Sequence, residues 1–244
     1  MNNSDLIILI VLFFFTSVIG VVTGSNSLIT VPVMFQFGID EKVAVATNMF
    51  GLTFMAIGGT IPFLRHGTID ARKLSPLIVV TMIGSALGAL LVGFITNQSI
   101  KLIVSIAMIV VVIFTLVRSE PGKGRKLPLI GFVVTFLLAI YGGLYSGGYV
   151  TILTASFVAF LGMSYAESVG STKLVNVFSS SIATLVFMWQ GLVDYTLGAI
   201  LAVTMFIGAY IGAHYAAKMN EIWLKRIFLG TVVILAAKTL YDYI

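Results

Sequence analysis

The sequence predicts an all-α polytopic membrane protein made of two inverted structural repeats. Each repeat has three full spans plus a glycine-broken helical hairpin, about 8 to 10 transmembrane segments in all. Three observations lead there. Of the 244 residues, 59% are hydrophobic and 9% charged, with a mean hydropathy of +1.11, whereas a water-facing surface needs roughly a quarter charged residues. The chain is also written twice. Gly20, Gly24, Gly84 and Gly88 recur as Gly143, Gly147, Gly208 and Gly212, Gly67-Thr68-Ile69-Asp70 as Gly191-Leu192-Val193-Asp194, and Lys101 as Lys225, all 123 or 124 residues on. Third, loop charge reverses between the copies. Residues 65–73 carry Arg65, Arg72 and Lys73, and their counterpart 190–195 carries neither Lys nor Arg; residues 97–101 carry one lysine, and 218–226 carry Lys218, Lys225 and Arg226. Because basic loops stay in the cytoplasm, two similar halves with opposite loop charge lie upside down relative to each other.

The apolar runs of the first half are residues 6–22, 28–37, 43–64, 74–96 and 100–117, and those of the second 127–145, 149–161, 168–189, 195–217 and 222–241. A spanning helix takes about 20 apolar residues, so the last three runs of each half read as full spans. The first two do not. Residues 28–37 and 149–161 are too short to cross, and each follows a glycine-polar break, Gly24-Ser25-Asn26-Ser27 or Ser146-Gly147-Gly148. Each break is either a point of return inside the membrane or a kink in one long crossing. Charge favours return, because residues 65–73, 118–127 and 218–226, which hold ten of the fourteen Lys and Arg, then all face the cytoplasm. Both termini, poor in positive charge, fall outside the cell. Residues 1–117 are thus the first repeat and 128–244 the second. Residues 118–127 form a cytoplasmic linker, where Pro121, Gly122 and Gly124 prevent a helix. The run 6–22 lacks a basic lead-in and a small-residue cleavage site, so it is expected to stay in place. Gly84-xxx-Gly88 and Gly208-xxx-Gly212 are expected to be seams of close helix approach.

Other classes find little support. The net charge of +5 sits in loops as topology rather than in a phosphate-binding stripe, so no nucleic-acid partner is expected. With no cysteine and only His66 and His214, neither a disulfide, a metal site nor another cofactor is expected. No HExxH, facing mid-span aspartates or paired Ser and His indicate catalysis. The expectation is no enzyme and no catalytic residue.

Polar groups inside the apolar runs carry the functional reading. Non-helical backbone is tolerated in a bilayer only where it is buried in protein or lines a cavity. A half-helix restarting after Gly24, Ser25 and Asn26, or after Ser146, Gly147 and Gly148, turns free N–H groups and its positive dipole end to the protein centre, which suits an anion. The alternative is a tight hairpin turn in which Ser25 and Asn26 serve as caps. A second polar cluster opens the next helix of each half: Thr47-Asn48, matched to Thr172-Lys173 with a one-residue gap. Lys173, Asn176, Ser180 and Thr184 share one helical face. A lysine within an apolar run needs a partner or a wet cavity, unless it snorkels to the interface. No Asp or Glu lies mid-span; Glu167 is the nearest candidate for proton coupling, and a helix-start carboxylate is its plainer explanation. Cationic and neutral donors without a central anion suit a small anionic substrate.

These residues resemble the TauE/SafE sulfite exporter family, the TSUP permeases. The resemblance runs through Ile19-Gly20 to Thr30, Ala46-Thr47-Asn48, residues 65–70 and 84–89, then 143–151, Gly170-Ser171-Thr172-Lys173-Leu174-Val175-Asn176, 190–194 and 208–213. It covers essentially the whole chain, and its specificity lies in the ordered set. It implies a multi-pass plasma-membrane permease, an exporter of sulfite, organosulfonates or related sulfur-containing or carboxylate anions. It also implies alternating access, with protons as a candidate coupling ion. The absence of cysteine counts against the thiol-dependent handling of thiosulfate found in a related branch. An anion channel of the same fold is the alternative.

Overall fold

The computed structural model describes residues 3–24, 26–65, 71–117, 127–215 and 241. Ser25, the linker 118–126, residues 66–70 and most of the final predicted span, with Lys218, Lys225 and Arg226, lie outside the described residues. Among the described residues there are nine helices and no strand: α1 (Asn3–Thr23), α2 (Ser27–Gln36), α3 (Glu41–Arg65), α4 (Ala71–Phe94), α5 (Asn97–Val117), α6 (Pro128–Leu144), α7 (Tyr149–Leu161), α8 (Tyr165–Trp189) and α9 (Tyr195–Tyr215).

Local chemistry sets most of the ends. The Asp40 carboxylate accepts from the N–H groups of Lys42 (3.0 Å) and Val43 (3.2 Å) and so starts α3. Ser164 Oγ accepts from Glu167 N at 3.2 Å, a cap that starts α8 with the acid in its first turn. Glu167 therefore sits at a helix start, where it complements the dipole. Gly162, left-handed at φ 68°, ends α7. The first run is longer than its apolar stretch indicates. Asn3, Ser4 and Asp5 join the opening turn of α1, making it one of five helices long and apolar enough to cross a membrane, with α3, α4, α8 and α9. The outer faces are apolar too: Trp189 is 80% exposed and Phe94 86%, as a lipid-facing surface requires and a water-facing one avoids.

Small residues set the packing. α1 lies on α9, α6 on α4, α3 on α9, α8 on α4, and α3 and α8 lie on each other. Both predicted glycine seams are present. Gly208 and Gly212 face the carbonyls of Phe14 and Val18 on α1, and Gly84 and Gly88 those of Phe136 and Ile140 on α6. A Cβ on Gly88 would meet the Ile140 carbonyl, a backbone atom that cannot swing aside. Gly88→Ala is accordingly expected to cost about 1–3 kcal/mol as overpacking, seen as a lower melting temperature of the purified protein.

Contacts also fix helix direction, and direction resolves the breaks. Along each seam the numbers rise together, so α1 is parallel to α9 and α6 to α4. Asp194 N donates to Thr47 Oγ1 at 3.0 Å, and Gly58 abuts Phe206 further on, so α9 is parallel to α3. Ser85 and Ser179 hydroxyls meet at 2.5 Å, while Gln190 Nε2 reaches the Ala89 and Leu90 carbonyls, both at 3.3 Å, so α8 is parallel to α4. Lys42 Nζ donates to the Gly93 carbonyl at 3.2 Å, which sets the start of α3 beside the end of α4. α3 therefore runs antiparallel to both α4 and α8. Since α1 and α3 run the same way with only α2 and a short link between them, α2 must return toward the end where α1 began. For α7 the return is direct: Leu127 N, just before α6, donates to the Phe160 carbonyl near the end of α7 at 2.8 Å. Both breaks are points of return, and the kinked-span alternative is excluded.

The two breaks differ in length. Gly24 N still donates to the Gly20 carbonyl at 2.7 Å, so α1 stays helical up to its break. α6 instead stops at Leu144, and Tyr145 is extended (φ −153°, ψ 117°). As a result Gly148, not Gly147, shares the conformation of Gly24, each with φ 79°.

Candidate functional site

The two break tips are tied together. Ser27 Oγ and Ser146 Oγ are 2.8 Å apart, Tyr145 OH donates to the Ser27 carbonyl at 2.9 Å, and Thr151 Oγ1 donates to the Thr23 carbonyl at 2.7 Å. The approach is close enough that a Cβ on Gly24 would lie 3.1 Å from Thr151 N. With its positive φ, the position doubly requires glycine.

Beside this junction is a pocket with about 390 Å³ of empty volume, counting its open mouth. Asn26, Ser27, Ser146, Lys173 and Asn176 supply its polar lining and Val21, Leu52, Met55, Ala56 and Val150 its apolar lining, with Gly20 and Gly24 completing the set. Lys173 is only 5% exposed, and among the described residues no carboxylate pairs with it. It does not snorkel to the interface. An unpaired cation in a buried cavity is costly unless something anionic joins it there. Asn26 is 4% exposed, and among the described residues neither its Nδ2 nor its Oδ1 has a hydrogen-bond partner. It stands at the N-cap of α2 without making a side-chain cap bond, so the cap role allowed for it is not the one it plays. In the first turn of α2 the N–H groups of Ile29 and Thr30 already donate to the Asn26 carbonyl, at 3.0 and 3.2 Å.

Of the residues picked out from sequence, Gly24, Asn26, Ser146, Lys173 and Asn176 line this pocket, and Ser25 lies outside the described residues. Thr47, Asn48, Gly147, Gly148 and Thr172 are not among the residues that line it, and their polar groups or space are already used. Thr47 holds the start of α9 through Asp194 N. Asn48 donates to Ser27 Oγ at 2.8 Å and accepts from Thr30 Oγ1 at 2.7 Å, which orients the first break tip. Thr172 Oγ1 meets Thr154 Oγ1 at 3.0 Å. The Gly147 carbonyl accepts from Tyr141 OH, and Gly148 packs on Val111.

The bonds Thr30–Asn48 and Thr154–Thr172 each join residues 18 apart, so Asn48 stands where Thr172 does. The predicted match of Thr47-Asn48 to Thr172-Lys173 is therefore off by one, and the position matching Lys173 is Met49. Ser27, which makes the cross-tip bond, and the apolar lining were not picked out. Ser27 was visible within the break motif itself, whereas Leu52, Met55 and Ala56 carry no signal beyond ordinary helical spacing. Among the described residues no cluster of His, Asp or Glu is suited to a metal ion.

Because Asn48 is 1% exposed and spends both amide atoms on the first tip, Asn48→Leu is expected to lower stability. The cost is about 1–2 kcal/mol, since Ser27 keeps Ser146 and Thr30 keeps the Asn26 carbonyl. Thermal melting of the detergent-solubilised variant against the parent checks it.

The profile of the family described as Sulfite exporter TauE/SafE matches residues 9–239. "Probable membrane transporter protein ORF9" of Sinorhizobium sp is 25% identical over 240 residues, covering 96% of this chain and 92% of that protein. "Probable membrane transporter protein YfcA" of Escherichia coli strain K12 is also 25% identical over 240 residues, with 95% and 89% covered. "Probable membrane transporter protein YdhB" of Bacillus subtilis strain 168 is 25% identical over 240 residues, with 93% and 97% covered. No solved structure matches the chain. With the profile running through nearly its whole length and around the polar pocket, this multi-pass membrane protein belongs to the TauE/SafE sulfite exporter family.

Proposed function

We propose that the chain is a secondary transporter, exporting small sulfur-containing or carboxylate anions such as sulfite or organosulfonates across the plasma membrane by alternating access. The observation that carries this reading is Lys173, a buried cation without a carboxylate partner among the described residues, lining a pocket at the meeting point of both breaks. The substrate's negative charge and acceptor oxygens complement Lys173, Asn26, Asn176 and Ser146, with the Gly24 break letting the anion come near the backbone. The apolar lining accommodates a short carbon chain. Repeats 1–117 and 128–244 are inverted in this reading. In its support, α3 and α8 start 124 residues apart, at Glu41 and Tyr165, and run in opposite directions. Residues 118–127 then face the cytoplasm and both termini the outside. Movement of one half against the other exposes the pocket to each side in turn. Protons are the candidate coupling ion.

The test is exchange in liposomes containing the purified chain. Uptake of labelled sulfite or a labelled organosulfonate should saturate and be accelerated by unlabelled anion on the opposite side. Flux that rises linearly with concentration and ignores the opposite side would make the protein a channel, and no flux of any of these anions would reject the reading.

A further inference from the structure

Resting on the anion site proposed above, we infer that Asn26 selects, among singly charged anions, those that carry their own hydrogen-bond donor beside the charge, such as hydroxylated sulfonates or carboxylates. The Asn26 backbone is committed, its carbonyl accepting from Ile29 N at 3.0 Å and Thr30 N at 3.2 Å. Its side chain is not. Nδ2 and Oδ1 are both buried without a partner among the described residues, on a residue that lines the pocket. A carboxamide offers donors on one atom and an acceptor on the other. An anion whose oxygens only accept satisfies Nδ2 and leaves Oδ1 as unpaired as before, whereas a ligand that also donates relieves the standing cost of a buried, unpaired acceptor.

The neighbouring hydroxyls do not serve Oδ1. Among the described residues no hydroxyl, Ser27 and Ser146 included, bonds it. Lys173 is the one cation among the described residues on the lining, and it is drawn to the ligand's charge. That single cation also sets the preference for one negative charge over two, because a second charge would be desolvated without a counterion. A ligand hydroxyl or ammonium next to the anionic group supplies the missing donor to Oδ1.

Isothermal titration of the full-length protein in nanodiscs with two ligand pairs matched in non-hydrogen atoms tests this: 2-hydroxyethanesulfonate against 1-propanesulfonate, and glycolate against propionate. The parent protein should bind the hydroxylated member of each pair about tenfold more tightly. Asn26→Leu should bring each ratio to about one or reverse it, while Lys173→Met weakens all four ligands alike. The parent's ratios are a readout in their own right, independent of whether any variant folds. Equal binding within each pair by the parent overturns the donor requirement and leaves the anion site standing. A preference that survives Asn26→Leu overturns the role of Asn26. Absence of binding by all four overturns both this inference and the anion site beneath it.

Discussion

Lys173→Met should reduce anion transport roughly 100-fold or more, while the protein folds and melts like its parent or slightly above it. The transport loss follows from removing the only cation among the described residues that line the pocket, since truncating one side of a buried charge pair typically costs 2–5 kcal/mol and each 1.4 kcal/mol is about tenfold. The stability expectation has the opposite sign because, with no anion bound, Lys173 is a desolvated charge without a carboxylate partner among the described residues. Methionine is of similar length and carries no such penalty. Proteoliposome flux and a melting curve measure the two halves of the prediction separately. Full transport by the variant would remove Lys173 from the site, and loss of folding would make it a structural residue.

Gly24→Val should nearly abolish anion binding, whereas Gly38→Val should spare it. Both glycines have positive φ, 79° and 73°, so valine pays a similar backbone strain of about 1–3 kcal/mol at either. Their surroundings differ. A Cβ on Gly24 lies 3.1 Å from Thr151 N and Oγ1 on the opposing tip, while one on Gly38 meets nothing within 4 Å. Gly24 lines the pocket, and forcing the tips apart strains the Thr151–Thr23 and Ser27–Ser146 bonds that set its shape. Comparing the two variants therefore removes general instability from the result. Binding measured by calorimetry, alongside melting temperature, should show a shared loss of stability and a loss of affinity confined to Gly24→Val. Equal affinities would reduce the first break to hairpin geometry.

The parts legible in the sequence were those written in local chemistry. Apolar runs gave the helices nearly to their ends. Glu167 read as a helix-start carboxylate and stands in the first turn of α8, and the paired glycines marked the two seams. A lysine inside an apolar run was visible as an anomaly, and it does line the pocket. What stayed hidden depends on partners far along the chain. Nothing local tells a returning break from a kink, because the answer lies in α1 running parallel to α9 while α9 runs parallel to α3. The extended Tyr145 lengthens the second break, and so a match made on glycines paired Gly24 with Gly147 although Gly148 shares its φ. The one-residue error at Lys173 has the same origin. Only the bonds Thr30–Asn48 and Thr154–Thr172 fix that register, and neither is local. Asn26 carried a cap-like identity in the sequence, and only the structure shows its amide buried without a partner among the described residues, on a residue that lines the pocket.

In the proposed transporter, one pocket between two inverted halves opens to each side of the membrane in turn. Because the chain has no cysteine, a single Ala56→Cys substitution gives the protein one thiol, on the pocket lining and only 4% exposed in this conformation. Membrane-impermeant maleimides of two colours, one applied to each face of oriented proteoliposomes, read its access. The account predicts that the thiol reacts from both faces, that each molecule carries one colour or the other, and that sulfite or an organosulfonate slows both reactions. Labelling from one face alone, or at rates that no anion changes, would contradict it.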